Sequence, residues 1–141
     1  ANGNTKKFLS DTRTLSTFFA DLMFKYKGFS IMSELASKTA ENTSVVTSDS
    51  FGNPTSFFYT GTGFNFQAGY LFKNNIELAA RYTTITPSKE NKINEFDMYT
   101  LGLSKYIKGH NLKIQTDVSL TNTENKSTSN LLYRLQFEFG F

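Results

Sequence analysis

Leu131-Leu132-Tyr133-Arg134-Leu135-Gln136-Phe137-Glu138-Phe139-Gly140-Phe141 decides the reading of this chain. Its odd positions are all aromatic or aliphatic, whereas Arg134, Gln136, Glu138 and Gly140 alternate with them. A period of two is the period of a β-strand, whose successive side chains point to opposite faces. In water, a strand showing Tyr133, Phe137, Phe139 and Phe141 on one face needs a core to cover them. In a bilayer, lipid covers them. The closing aromatic residue points the same way, toward a transmembrane antiparallel β-barrel.

Working outward from that strand, the same alternation recurs six times. Residues 17–26 set Phe18, Ala20, Leu22, Phe24 and Tyr26 against Phe19, Asp21, Met23 and Lys25. Lys27-Gly28 then predicts a tight turn, and 29–38 returns with Phe29, Ile31, Ser33 and Leu35 opposed to Met32, Glu34 and Lys38. Further strands are predicted over 62–71, 76–84, 96–107 and 112–120, with turns at 73–75 and 108–111. The stretches 39–60, 86–95 and 121–130 are rich in Ser, Thr, Asn and Pro, and predict loops. Short turns at one end and longer loops at the other are the habit of a membrane barrel.

Composition agrees with that reading. Only 38% of the 141 residues are hydrophobic, and no run approaches the roughly 18 apolar residues of a membrane helix. Alternation dilutes apolar residues, so a barrel survives this test. The 15 Phe and 7 Tyr fit lipid-facing bulk and interfacial belts better than a polar soluble domain. There is no Cys, which excludes disulfides and thiol chemistry, and the net charge of +3 comes without a basic block that would suggest nucleic acid.

Seven strands are awkward, because bacterial single-chain barrels have an even count of at least about eight. Residues 1–16 alternate poorly and read as a loop or the end of a preceding strand. The expectation is therefore one β-barrel domain, with 17–141 supplying the C-terminal strands of a larger barrel of about 16.

Several words in the chain carry a resemblance. Phe24-Lys25-Tyr26-Lys27-Gly28-Phe29-Ser30, Gln67-Ala68-Gly69-Tyr70-Leu71, Ile76-Glu77-Leu78-Ala79-Ala80-Arg81-Tyr82, Thr100-Leu101-Gly102-Leu103 and Gly109-His110-Asn111-Leu112-Lys113-Ile114-Gln115 follow one another in order. Together they resemble the C-terminal part of the phosphate-selective porin O and P family of Gram-negative outer membranes. The resemblance implies an integral outer-membrane porin, forming trimers, that passes small hydrophilic solutes or ions, anions and phosphate among them. It does not carry phosphate selectivity over, because the family's arginine ladder and constriction loop lie in the half that precedes these words.

The polar strand faces supply the candidate pore-lining residues Lys25, Glu34, Glu77, Arg81, Lys113, Asp117, Arg134 and Glu138. Their plainer role is to pair across strands and keep the wall wet and rigid. Tyr133, Phe137, Phe139 and Phe141 are the candidate signal for the barrel-insertion machinery. The single His110 sits in a turn without Cys or a second His, so neither a metal site nor a catalytic triad is predicted, and no cofactor. Gly61-Thr62-Gly63 lacks the lysine of a phosphate loop. Against the porin stand a structural barrel within a larger outer-membrane complex, a barrel enzyme and a soluble lipid-binding barrel. The last is separated by whether the protein leaves membranes without detergent.

Overall fold

The computed structural model describes residues 7–8, 14–41, 45–48, 51–91, 93–107, 112–124 and 129–140. The chain is all-β. Its strands are β1 (Lys7–Phe8), β2 (Leu15–Tyr26), β3 (Phe29–Ala40), β4 (Val45–Ser48), β5 (Pro54–Phe57), β6 (Gly61–Leu71), β7 (Ile76–Pro87), β8 (Phe96–Tyr106), β9 (Leu112–Thr123) and β10 (Asn130–Phe139), with one 3-10 turn at Lys89–Asn91.

Seven of them form one antiparallel sheet in the order β10-β9-β8-β7-β6-β3-β2. These are the seven strands expected from the alternation. Apart from the excursion through β4 and β5, each strand pairs with its sequence neighbour, as a meander does. The sheet is open among the described residues, with β2 and β10 at its edges. The connection between β3 and β6, where the sequence predicted only a loop, contains β4 and β5, which form a small sheet with β1 in the order β1-β4-β5.

The turns at one end are tight for stated reasons. Lys27 and Gly28 have φ of 45° and 86°, the doubly left-handed turn that matches the twist of a two-residue hairpin. A side chain on Gly28 would meet the Leu71 carbonyl oxygen at 2.6 Å. At the β6–β7 turn, Asn75 takes φ 61° and its N–H donates to the Phe72 oxygen at 3.0 Å. At the opposite end the connections are tied together. Thr60 and Asn91 are buried there, and the Thr60 carbonyl accepts both Asn91 Nδ2 at 2.7 Å and Ser88 N at 2.9 Å.

Register sorts the side chains of the large sheet onto two faces of opposite character. Tyr133, Val118, Leu101, Ala80, Ala68, Ile31 and Phe24 are successive cross-strand partners on one face. Arg134, Asp117, Gly102, Ala79, Gly69, Ser30 and Lys25 are the equivalent row on the other. The described residues form no hydrophobic core. Among the described residues no large apolar side chain is buried, and the buried polar ones are Thr47, Thr60, Asn91, Ser104, Asp117 and Ser119. Leu101 is 52% exposed, Tyr133 68% and Phe24 51%.

Candidate functional site

Every pore-lining candidate named from the sequence falls on the polar face. Lys25 pairs with Ser30, Glu34 with Asn65, Glu77 with Ser104, Arg81 with Gln67 and Thr100, Lys113 with Tyr106 and Glu138, and Asp117 with Arg134. They share a face but do not gather at one point. Lys25 lies toward the β2 edge and Arg134 and Glu138 lie on the β10 edge.

The most covered part of this face is over β8 and β9. Asp117 is 4% exposed and accepts two bonds from Arg134, from Nε at 3.0 Å and from Nη2 at 3.1 Å. Its other cross-strand neighbour is Gly102, so the carboxylate is flanked by a bare backbone on one side and by a fork of matching geometry on the other. Thr100 and Ser119 share a hydrogen bond of 2.8 Å beside it. Toward the tight turns, the Tyr106 hydroxyl donates to Glu77 Oε2 at 2.5 Å, and the Lys113 ammonium lies 5.4 Å from the Tyr106 ring centroid. Asp117, Arg134, Thr100, Glu77, Tyr106 and Lys113, with Gln67, Arg81 and Gln115, line a polar hollow of about 290 Å³.

Nearer the loops, the polar face is linked across strands by amides. Thr83 Oγ1 donates to Asn65 Oδ1 at 3.0 Å, and Asn65 Nδ2 donates to Glu34 Oε2 at 3.2 Å. One step along β6, Arg81 Nε donates to Gln67 Oε1 at 3.0 Å. Sequence reading missed Asn65, Gln67, Thr83 and Tyr106. The signal for the amides was present as their two-residue spacing on the face shared by Gly63 and Gly69, but their partners depend on register. The polar face is not uniformly polar: Phe19 and Met23 lie on it beside Asp21 and Lys25, as the alternation of β2 predicts, and Leu132 lies on it in β10, 73%, 65% and 57% exposed.

Tyr133, Phe137 and Phe139 share the apolar face of β10 with Leu131 and Leu135, all of them more than half exposed. Phe141, His110 and Arg13 lie outside the described residues, as does much of 1–16. Among the described residues no group of three or more His, Cys, Asp or Glu is placed to share a metal ion. The polar face presents charged and hydrogen-bonding side chains from every strand of the large sheet. No family model, curated protein or solved structure matches the chain.

Proposed function

We propose that the chain is part of the wall of an outer-membrane β-barrel that passes small hydrophilic solutes or ions by passive diffusion, with its apolar face toward lipid and its polar face toward a water-filled lumen. The observation that carries this reading is the inverted burial. Polar Asp117, Ser119 and Ser104 are covered, while Phe24, Leu101, Tyr133 and Phe137 are not. In water each such apolar side chain forgoes roughly 1 to 2 kcal/mol of burial, a loss repeated in every row of the face.

The height of the apolar face supports the same reading. Along β6 it runs from Phe64 through Phe66, Ala68 and Tyr70 to Phe72, which packs edge-on against Tyr70 at 4.9 Å. Eight residue steps at about 3.3 Å make about 26 Å, or about 20 Å at a barrel tilt near 40°, against an apolar band of about 25 Å in outer-membrane barrels. Tyr82 and Tyr99, ring centroids 5.0 Å apart, stand at its loop-side margin, and Tyr26, Phe29 and Tyr70 form a row near the turns. That is where interfacial girdles belong.

The same setting accommodates the resemblance to phosphate-selective porins, a trimer, and insertion machinery that reads Tyr133, Phe137, Phe139 and Phe141. The test is twofold. Alkaline carbonate should leave the protein in the membrane pellet, and the detergent-purified protein should open discrete channels in planar bilayers. Release without detergent sinks the membrane reading. Membrane retention without channels instead favours a structural barrel in a larger complex.

A further inference from the structure

Glu34 and Arg81 carry opposite charges on the polar face, and they are held apart. Each is anchored on a different amide of β6. Asn65 Nδ2 donates to Glu34 Oε2 at 3.2 Å, and Gln67 Oε1 accepts from Arg81 Nε at 3.0 Å. The anchors are two residues apart on one strand, about 7 Å along it, and the charges also lie on opposite flanks of β6, Glu34 on β3 and Arg81 on β7, so that they stand roughly 10 Å apart. They do not form an ion pair; the ion pair among the described residues is Arg134 with Asp117.

The amides act as spacers. Thr83 Oγ1 donates to Asn65 Oδ1 at 3.0 Å, which turns the Asn65 amino group toward Glu34 and keeps it from Arg81. Arg81 uses Nε on Gln67, which leaves its terminal nitrogens to face the solvent. Glu34 and Arg81 are both exposed. Space adjoins each charge. A hollow of about 540 Å³ is lined by Glu34 and its cross-strand partner Asp21, with Gly63, Asn65 and Thr83, and the hollow of about 290 Å³ by Gln67 and Arg81. A Cβ at Gly63 would meet nothing within 4 Å, so the surface of β6 beside the pair lies open.

We infer that this pair is a binding site for a short zwitterionic peptide of two to three residues, with its ammonium on Glu34 and its carboxylate on Arg81. Two to three extended residues set chain ends roughly 7 to 10 Å apart, which spans the distance between the two charges. A simple anion meets Glu34 as a repulsive neighbour, and a simple cation meets Arg81; only a solute carrying both charges satisfies both. Both protein charges remain in water, so each contact has the weight of an exposed ion pair and the site retains its solute briefly, as a conducting wall requires.

The proposal rests on the polar face lining a water-filled lumen, and its test separates the two claims. Channels of the complete protein in planar bilayers are titrated with glycylglycine, with N-acetylglycylglycine, which keeps only the carboxylate, and with glycylglycinamide, which keeps only the ammonium. Glycylglycine should reduce the ion current at a concentration about fivefold lower than either capped analogue. Glu34→Gln, combined with Asp21→Asn to remove the acid opposite it, should bring glycylglycine level with the acetylated form, and Arg81→Gln level with the amide, whereas Arg81→Lys keeps most of the preference. Equal action of all three solutes, or a preference unchanged in both Gln variants, overturns the site while leaving the pore intact. Saturation-transfer NMR with the same solutes on the detergent-solubilised protein decides the case in which no channels open. Selective binding there keeps the site and removes the pore, and equal binding of all three removes the site.

Discussion

Asp117 is the side chain whose environment is most demanding. A carboxylate that is 4% exposed is tolerable only while the Arg134 fork accompanies it. Arg134 is itself 55% exposed, so water relieves part of its loss, and the cost of removing it falls well below that of breaking a dry ion pair. Arg134→Met should lower unfolding stability by about 1 to 2 kcal/mol, read as an earlier urea midpoint in detergent or vesicles. Adding Asp117→Leu should recover part of that loss, because the orphaned charge leaves with it; no recovery would mean that Arg134 acts through packing alone. At the other end of the sheet, Asn91→Ala removes the 2.7 Å bond to the Thr60 carbonyl. Its expected signature is faster protease cleavage within 88–95 at nearly unchanged global stability.

At the scale of the strand, the two faces of β8 make opposite forecasts for one substitution. Leu101 pairs with Ala80 and Val118 on the apolar face, and its neighbour Thr100 pairs with Arg81 and Ser119 on the polar one. Leu101→Arg should cost about 2 to 4 kcal/mol of folding into lipid vesicles, the penalty for a cation on the lipid face near mid-depth, while Thr100→Arg should cost less than 1. Equal penalties would remove the assignment of faces.

Most of this element-level picture was legible in the chain, because a period of two reports both the strand and its faces. The strand ends were not. Alternation was read to residue 84 in β7 and to 120 in β9, yet these strands run to Pro87 and Thr123. Alternating apolar residues mark the apolar band, and a Thr-rich extended backbone goes on pairing beyond it. The small sheet escaped for a different reason. Its β4 and β5 are four residues each with a register shift between them, and their hold includes a Thr47–Thr55 hydroxyl bond of 2.7 Å that no hydropathy pattern announces. The Glu34–Asn65–Thr83 chain was equally hidden, since its members come from three strands that only register aligns.

For the whole molecule, the open edges matter most. β2 and β10 are exposed along their full length, and a flat exposed edge in lipid leaves backbone groups without partners at several kcal/mol each. In the assembled protein both edges should therefore be paired. Hydrogen exchange in vesicles tests this: amides throughout β2 and β10 should exchange as slowly as those of β7. Rapid exchange at alternate positions of both strands would show that the edges stay open and would weigh against a closed barrel.

Because six antiparallel pairings link β2 to β10, the two strands run the same way, from the loop end toward the turn end. The backbone thus enters the large sheet at Leu15 on one side and leaves it at Phe139 on the other. On the proposed membrane reading, the two ends of the sheet lie on opposite sides of the bilayer. A cysteine-reactive dye that cannot permeate, offered to intact cells carrying Ser16→Cys or Gly140→Cys, should label one variant and spare the other, turning strand parity into a compass for the protein's orientation.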